Sequence, residues 1–282
     1  LTSCAYRSAS KRTPASSEIL DAGDYGMYLT PNNNGDKPTA ILGNRLDNAI
    51  SEHLVRTYTS KTLIDANLFQ RANINKHAIK MVGGQPTNPQ KHNQITRNTL
   101  ESNCYWVVTI GPENSTSDQH LRHTNVDSNH FKSLGQNVAL VIRDKQVYVR
   151  NNIFEIGNWP CIEIGGQGIG PTPESIKVEH NTAYAPAATS LEFIRANSAN
   201  PTVMRNNIAF CPQGAVQTSG NLSASNNLFT DPLFTNAGTG DFTPSPQSSA
   251  IGAAAPSNLR HDLNGRSRPQ GGGPEIGALE RQ

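Results

Sequence analysis

The chain has 282 residues, of which 35% are apolar and 16% are charged, and its formal net charge at pH 7 is +2. This length allows one or two domains. The near-neutral charge gives no reason to expect nucleic acid as a partner. A membrane span is also not expected, because no apolar run approaches the roughly 18 residues that a spanning helix needs.

Residues 1–50 precede the regular part of the sequence. Positions 5–20 are polar and rich in Ser, Ala and basic residues. The stretch from Asp21 to Asp47 combines the turn signals PNNNGDKP with the short apolar run AIL. We therefore expect an N-terminal extension that leads into a first, irregular coil.

An eight-residue window with Asn at its sixth place recurs seven times through the middle of the chain. The copies read TLIDANLF, NQITRNTL, TNVDSNHF, VYVRNNIF, IKVEHNTA, TVMRNNIA and LSASNNLF. Their Asn residues, from Asn67 to Asn227, follow one another at intervals of 20 to 31 residues. A recurring period of about 20–50 residues is typical of a solenoid.

The window itself has the pattern of a strand followed by a turn. Its third and eighth places are always apolar, whereas the second and fourth are mostly polar, and this alternation predicts a strand with one buried face. The Asn follows the strand, and Asn tolerates a left-handed backbone. We expect these side chains to stack as a hydrogen-bonded ladder. The alternative is a series of antiparallel hairpins, but hairpin turns recur at shorter steps of about 8–12 residues.

A second short apolar segment precedes the first window, and another follows each of the first five windows. These segments read HLVRTY (53–58), HAIKMV (77–82), YWVVTI (105–110), VALVIR (138–143), PCIEIG (160–165) and LEFIRA (191–196). They predict a second strand in each coil. Loops of variable length, the longest at 83–90, 111–119 and 165–174, suggest that functional groups decorate one side of a constant core.

The C-terminal residues 231–282 differ from the rest, because Pro and Gly are dense and no helical period appears. We interpret this stretch as a cap that runs back along the solenoid. The predicted organisation is therefore an extension and irregular coil at 1–50, regular coils at 51–230, and the cap at 231–282.

The cap and the Asn windows resemble those of bacterial right-handed parallel β-helix proteins. The matching cap segments are Asp231 to Phe234, Gly240 to Phe242, Ser248 to Gly252 and Asp262 to Glu280. The resemblance implies an all-β fold, a right-handed parallel β-helix of about seven coils with irregular caps at both ends. It also implies a bacterial protein that is secreted, periplasmic or on the cell surface.

Within that group, SEHLVR and KHAIKM followed by TIGPENSTSDQ resemble polysaccharide lyases that act on uronate polymers such as alginate. The resemblance implies a catalytic Lys and Arg on adjacent coils. Lys80 occupies the Lys place, whereas the Arg place falls near Thr109 and Ile110. The acidic calcium-binding motif of those enzymes is not evident, so we expect no cofactor, with calcium as the one possible metal.

The four cysteines, at positions 4, 104, 161 and 211, have no spacing that suggests zinc. We expect them to be free thiols.

Alternation within the second strand assigns side chains to the inside or outside of the solenoid. The expected inward residues are Val55, Ile79, Val107, Leu140, Ile162 and Phe193. One outward row is then Arg56, Lys80, Val108, Val141, Glu163 and Ile194, and the next is Leu54, Ala78, Trp106, Ala139, Cys161 and Glu192.

In the first of these outward rows, Arg56 and Lys80 are expected to be neighbours about 4.8 Å apart. Like charges on adjacent strands are destabilising, and this pattern favours an anionic ligand. The alternative is a pair of solvated cations that point apart.

The early coils also concentrate positive charge. Residues 51–100 contain seven Lys or Arg and two Asp or Glu, a local net charge of +5. His53 and His77 lie in the same stretch, and Tyr105 and Trp106 follow one coil later. This charge is expected to attract an anionic polysaccharide, with the aromatic rings as platforms for sugars. A buried Trp106 is the competing interpretation.

Cleavage of a uronate polymer by β-elimination requires a cation for the carboxylate, a base and an acid. We assign the carboxylate to Arg56 or Lys76, and the base to Lys80, because a neighbouring cation favours the neutral amine. Tyr58 is preferred to His53 as the acid, since it shares the outward parity of Arg56. The predicted catalytic residues are therefore Lys80, Arg56 and Tyr58, with further substrate contacts from His53, Lys76, His77, Tyr105, Trp106 and Glu163.

We expect the lyase to be a monomer. Two other functions are alternatives to it. A glycoside hydrolase of the same fold would need two carboxyl groups, for which Glu163 and Glu192 are the candidates. A non-catalytic glycan-binding or surface protein would need neither.

Overall fold

The computed structural model describes residues 17–30, 38–84, 90–102, 104–112, 121–133, 138–157, 159–166 and 172–281. Three parallel sheets of eight strands each dominate this part of the chain. The remaining elements are an antiparallel pair, β25 (Phe234–Asn236) and β26 (Asp241–Pro244), and a short 3-10 helix, Ala237–Thr239.

Each sheet collects every third strand of the chain. Sheet A consists of β1 (Glu18–Ala22), β4 (Arg45–Ala49), β7 (Leu68–Gln70), β10 (Thr99–Glu101), β13 (His130–Ser133), β16 (Ile153–Ile156), β19 (Thr182–Tyr184) and β22 (Ile208–Phe210). Sheet B consists of β2 (Met27–Leu29), β5 (Val55–Thr57), β8 (Ile79–Met81), β11 (Trp106–Ile110), β14 (Val138–Ile142), β17 (Ile162–Gly165), β20 (Ser190–Asn197) and β23 (Ala215–Gly220). Sheet C consists of β3 (Thr39–Leu42), β6 (Thr62–Asp65), β9 (Gln90–Thr96), β12 (Leu121–Asp127), β15 (Val147–Arg150), β18 (Lys177–Glu179), β21 (Thr202–Arg205) and β24 (Leu222–Ser225).

The chain visits the sheets in the order A, B, C, so every three strands complete one coil of a parallel β-solenoid. The predicted all-β solenoid class is confirmed. The coil number differs slightly from the predicted seven, because each sheet has eight strands. The additional window is TAILGNRL at 39–46, with Asn44 at its sixth place. It escaped the sequence pattern because Leu42 interrupts the polar alternation.

The predicted Asn ladder is present at the corner between sheets C and A. From Asn44 to Asn207, each amide Nδ2 donates a hydrogen bond of 2.9–3.0 Å to Oδ1 of the Asn one coil later, and the same Oδ1 accepts the backbone N–H of the donating Asn. The ladder contains Asn44, Asn67, Asn98, Asn129, Asn152, Asn181, Asn207 and Asn227. It therefore satisfies amide groups that burial would otherwise leave unpaired.

The left-handed backbone at this corner belongs to the residue before each ladder Asn and not to the Asn itself. This corrects the sequence interpretation. The eight residues have φ between +49° and +63°: Gly43, Ala66, Arg97, Ser128, Asn151, His180, Asn206 and Asn226. The left-handed residue turns the chain, which leaves the following Asn side chain pointing into the ladder.

Sheet A is the strand layer that the sequence pattern missed. From β4 onward its strands begin directly after the ladder Asn, so the window contains only their first two residues. Its inward column is formed by the eighth place of the windows: Leu46, Phe69, Leu100, Phe131, Phe154, Ala183 and Ala209. Phe131 and Phe154 stack with ring centroids 4.7 Å apart. The apolar eighth places therefore form one interior column, with Leu100 between Phe69 and Phe131.

The predicted inward and outward residues of sheet B are correct in β5, β8, β14 and β17. They are wrong in β11 and β20. Ile79 pairs with Val108, and Ile162 pairs with Ile194, so the outward places belong to Thr109 and Arg195. A bulge in β20 accounts for the second shift. A slip of one residue moves every side chain to the opposite face of a strand.

Four residues that were expected to point outward are instead fully buried in the core: Leu54, Ala78, Ala139 and Cys161. They lie where the chain turns into sheet B. At such a corner two successive residues, such as Leu54 and Val55, both face the interior. Among the described cysteines, Cys104, Cys161 and Cys211 are buried free thiols.

The C-terminal segment packs on the outside of the late coils. Phe242, Ala278 and Leu279 form an apolar cluster with Ile153 of sheet A. Beneath it, Arg268 forms a buried ion pair with Glu280 and donates to Oδ1 of Asn151 at 3.2 Å. None of the described residues belongs to a helix long and apolar enough to cross a membrane.

The inward column predicts the cost of truncating its central side chain. Phe131 is fully buried and stacks on Phe154. Phe131→Ala should lower the free energy of unfolding by about 3–5 kcal/mol, because apolar contacts are lost and a cavity remains. Urea denaturation measures this loss. A loss below about 1 kcal/mol would contradict the interior position.

A buried carboxyl predicts an unusual pH dependence of stability. Burial, together with a hydrogen bond to Glu280, raises the pKa of Glu275 to about 8 from a usual value of 4.5. A raised folded-state pKa gives stability that is complete below the unfolded pKa and is lost as the pH rises through 8.

Glu275→Gln replaces the protonated acid by a neutral group of the same shape. The variant should match the native protein near pH 4.5 and exceed its free energy of unfolding at pH 9 by about 1 kcal/mol or more. Denaturation at both pH values, with the exposed Glu18→Gln as control, tests this. Equal alkaline losses in all three proteins would contradict it.

Candidate functional site

The outward row of sheet B gathers charged residues from separate coils. Parallel pairing places Tyr28, Arg56, Lys80, Thr109, Val141, Glu163 and Arg195 in one line across seven strands. Arg56 and Lys80 are direct Cα partners, as the alternation pattern predicted. Glu163 also lies in the predicted row.

Arg56 is held by three tyrosines. Its Nη1 donates to the Tyr25 hydroxyl at 3.0 Å, and its Nη2 donates to the Tyr58 hydroxyl. The guanidinium carbon lies 5.2–5.9 Å from the ring centroids of Tyr25, Tyr28 and Tyr58. Burial raises the pKa of Tyr25 despite its contact with Arg56. Arg56, the predicted carboxylate-binding residue, is therefore hydrogen-bonded to Tyr58, the predicted acid.

Lys80 lies beside this cluster but not on an open surface. Only 2% of the residue is exposed, and Nζ donates to the carbonyl oxygen of Pro112 at 3.5 Å. The predicted base is thus next to Arg56 in the sheet, is buried, and contacts the backbone at Pro112.

A column of stacked rings runs parallel to this row at the entry to sheet B. The His53 and His77 rings stack with centroids 4.7 Å apart, and those of His77 and Trp106 stack at 5.6 Å. Three of the predicted substrate-binding residues are therefore packed against one another. Their planes lie nearly parallel, within 12° for both pairs.

Both imidazoles are neutral at physiological pH. Burial lowers the pKa of His53 to about 3, assisted by Arg56, Lys80 and Lys76. Burial also holds the pKa of His77 well below its usual value. Nδ1 of His53 accepts the backbone N–H of His77 at 3.0 Å, so its proton lies on Nε2. Because His53 cannot be charged near neutrality, it is a weak candidate for the acid.

Arg143 is a functional candidate that the sequence interpretation missed. Its guanidinium carbon lies 4.3 Å from the centroid of Trp106, and the residue is 1% exposed. Burial lowers its pKa. Nε and Nη2 have no hydrogen-bond partner among the residues that the structure describes. Such a cation is suited to binding an anion.

A glycine in the preceding coil, Gly111, is the feature of the sequence that could have indicated Arg143. Gly111 stands opposite it, and a Cβ atom there would lie 3.0 Å from the backbone and Cβ of Arg143. A Gly at that place, in a left-handed conformation with φ +119°, leaves space for the Arg on the next coil.

Two further predicted residues have simpler surroundings. Lys76 donates to Glu52 at 2.7 Å, and this ion pair occupies the charge that was expected to hold a carboxylate. Tyr105 is 45% exposed and tilts against Trp106, with centroids 4.9 Å apart. Tyr105 therefore presents the accessible aromatic face next to the buried stack.

The two carboxyl candidates share one arginine. Arg195 Nη1 lies 3.8 Å from Oε2 of Glu163, and its Nη2 contacts Oε2 of Glu192. Burial raises the pKa of Glu163, with Glu192 adding to the rise and Arg195 and Arg143 opposing it. The two carboxyl groups thus have different environments.

The positive charge of residues 51–100 is divided among several faces, contrary to the expectation of one patch. Arg71 pairs with Asp47, and Arg97 pairs with Asp65. Arg71 follows β7 of sheet A and Arg97 follows β9 of sheet C, so neither residue lies on sheet B. The long loops that suggested functional groups on one side of the core fall largely on residues 85–89, 113–120 and 167–171, which lie outside the described residues.

A groove of about 750 Å³ lies elsewhere, between sheet C and residues 258–265. Its wall charges are largely satisfied as pairs, such as Asp127 with Arg150 at 2.6 Å. We place the candidate site on sheet B because the buried, incompletely paired charge of Arg143 lies there. Within the described part of the chain, no three His, Cys, Asp or Glu side chains converge as a metal site would require.

No protein family model matches this chain, and no curated protein is similar to it.

The neutral imidazole stack can be tested directly. The NMR signals of the His53 ring should not shift between pH 8 and pH 5, because its pKa is about 3. His53→Asn identifies the resonances. A titration midpoint above pH 5 would show that the ring is solvated and not stacked.

Proposed function

We propose that this protein is a polysaccharide lyase that cleaves an anionic, uronate-containing glycan by β-elimination. The observation that carries the proposal is the direct pairing of Arg56 and Lys80 on the outward face of sheet B. Arg143, buried against Trp106, brings a third cation to the same face. Three cations on one face create a positive potential that attracts an anionic ligand.

The chemistry assigns one role to each group. Arg56 and Arg143 neutralise the uronate carboxylate, which acidifies the adjacent C–H bond. The neutral amine of Lys80 takes that proton, and the electron pair forms a carbon–carbon double bond. The glycosidic C–O bond breaks on the other side, and the leaving oxygen receives the proton of Tyr58. Proton transfer of this kind contributes about 10²–10⁴-fold to a rate.

The bond between Arg56 and Tyr58 supports the choice of acid. A guanidinium has only donors, so the phenol oxygen accepts from Arg56 and keeps its own proton as a donor. After proton transfer the phenolate would remain beside a positive charge, which favours that state. Lys76 is not assigned a role, because its charge is engaged by Glu52.

The burial of Lys80 places one requirement on the mechanism. Only 2% of Lys80 is exposed, and its Nζ donates to the carbonyl oxygen of Pro112 at 3.5 Å, so the amine must become accessible to the polymer before it can act as the base. A polymeric substrate also implies that the protein acts outside the cytoplasm, in a secreted, periplasmic or cell-surface location.

A glycoside hydrolase is the second candidate, and one observation favours it. Glu163 has a raised pKa and shares Arg195 with Glu192. Two carboxyl groups in different environments are the arrangement of an acid and its charged partner. Arg195 contacts both of them, however, and would have to leave before either could act on a sugar.

One assay separates these functions. Alginate, polygalacturonate and glycosaminoglycans are incubated with the protein, and we expect rising ultraviolet absorbance from the unsaturated product of one of them. New reducing ends without that absorbance would mean hydrolysis. Retention on the polymer without either signal would mean a non-catalytic binding protein.

On a polymer that the native protein cleaves, Lys80→Ala should lower kcat by about 100-fold or more, because the base is lost. Polymer binding should remain nearly unchanged. Lys132→Ala, which removes an exposed cation from sheet A, is the matched control. Near-normal turnover by Lys80→Ala would exclude this residue as the base.

Arg56→Ala should raise KM and lower kcat together, because its charge acts on the carboxylate in both the ground and the transition state. Tyr58→Phe should lower kcat with little effect on KM. Initial rates over a range of polymer concentrations measure both parameters. An unchanged kcat for Tyr58→Phe would remove it as the acid.

A further inference from the structure

A line of cations follows the corner where the chain enters sheet C. Lys91 of β9 and Arg122 of β12 are direct Cα partners. Lys145 occupies the same place one coil later, since it precedes Val147 as Arg122 precedes Thr124, and these two residues are paired. Three consecutive coils therefore present a cation at one position.

Two imidazoles lie next to this line. The His92 and His123 rings stack with centroids 5.1 Å apart and an interplanar angle of 7°. Both residues have a left-handed backbone, with φ of +59° and +54°. The conformation recurs in this row at Lys61, Gln146 and Ser175. We call the set Lys91, His92, Arg122, His123 and Lys145 the corner stripe.

Two carboxyl groups among the described residues lie near the corner stripe. Glu174 pairs with Lys145 at 2.7 Å, at the end of the line. Asp144 accepts the backbone N–H groups of Leu121 and Lys145, and burial raises the pKa of this carboxyl to about 7. Nε of Arg122 is buried and has no hydrogen-bond partner among the described residues.

The corner stripe has the geometry of a contact for a linear polyanion. Adjacent strands are about 4.8 Å apart, and like charges at that distance repel. An extended chain of carboxylates or sulfates along the solenoid axis would meet one cation per coil and offset this repulsion. A compact anion would contact only one or two of them.

We propose that the corner stripe binds an anionic polysaccharide as a second contact, outside the site on sheet B. The class of polymer rests on the proposed function, whereas the location rests on the charges at this corner. The stripe lies beyond the ends of β8 and β11, next to the face that carries Arg56 and Lys80. Both lines of cations run along the solenoid axis, so the corner stripe binds a separate, parallel length of polymer.

The test is a double variant, Lys91→Gln with Arg122→Gln, titrated with long-chain polygalacturonate and with sulfated dextran. The two polymers distinguish a carboxylated from a sulfated ligand. At low salt the variant should bind at least one of them about 10-fold more weakly than the native protein. The slope of log affinity against log salt should also fall, because fewer counterions are released.

Lys132→Gln with Lys177→Gln is the matched control, since it removes two cations from other parts of the solenoid. An equal loss of affinity in this control would show that net charge alone causes the effect, and would overturn the proposal. Equal binding of duplex DNA by the native protein would overturn the polysaccharide class. An unchanged affinity in a folded double variant, checked by its melting temperature, would also overturn it.

Turnover separates this inference from the lyase assignment. The double variant should cleave a uronate trisaccharide at the native rate, because such a ligand is too short to reach the corner. If the native protein cleaves no polymer but the double variant loses polymer binding, the lyase assignment fails and the corner stripe stands. If the polymer is cleaved and its binding is unchanged in the double variant, the lyase assignment stands and the corner stripe is excluded as a binding site.

Discussion

The Asn ladder is the interaction on which the geometry of the solenoid depends. Each amide hydrogen-bonds to the Asn of the next coil and, from Asn67 onward, to a backbone carbonyl of the coil before, such as Asn98 Nδ2 to Ile64 at 2.9 Å. A buried amide that lost these partners would cost about 1–3 kcal/mol. The ladder therefore resists both a change in coil spacing and a slip in register.

A fixed register at one corner organises charges on another face. Because coils stack at the same position, outward residues separated by 22 to 32 places in sequence become neighbours on sheet B. Arg56 meets Lys80 in this way, and Arg143 reaches Trp106. Neither contact requires a motif of residues that are close in sequence. A solenoid thus assembles a site from single residues contributed by several coils.

The same face carries buried charge next to neutral imidazoles. His53 and His77 stay unprotonated because burial and the nearby cations both disfavour a positive ring. Their stacking gives the cations a rigid, apolar wall. This arrangement concentrates the positive potential on Arg56, Lys80 and Arg143, which is what recognition of an anionic sugar requires.

The sequence alone determined the features that repeat. The place of Asn in each window, and the apolar places three and eight, were enough to predict a solenoid, a buried strand face and the ladder, and the resemblance of the cap and windows added the parallel β-helix. These features are readable because every coil must satisfy the same hydrogen bonds and fill the same core. The strands of sheet A, which lie largely outside the window, left no such pattern, and the coil at Asn44 deviated at Leu42.

Only the tertiary structure decided what lies on the surface. Alternation predicted the pairing of Arg56 with Lys80, but one-residue shifts in β11 and β20 moved Thr109 and Arg195 to the outward face. Sequence counted the charge of residues 51–100 as one patch, whereas the fold divides it between sheet B, the corner before sheet C and internal ion pairs. The physical reason is that side-chain direction alternates with every residue, so a single extra residue at a corner reverses it.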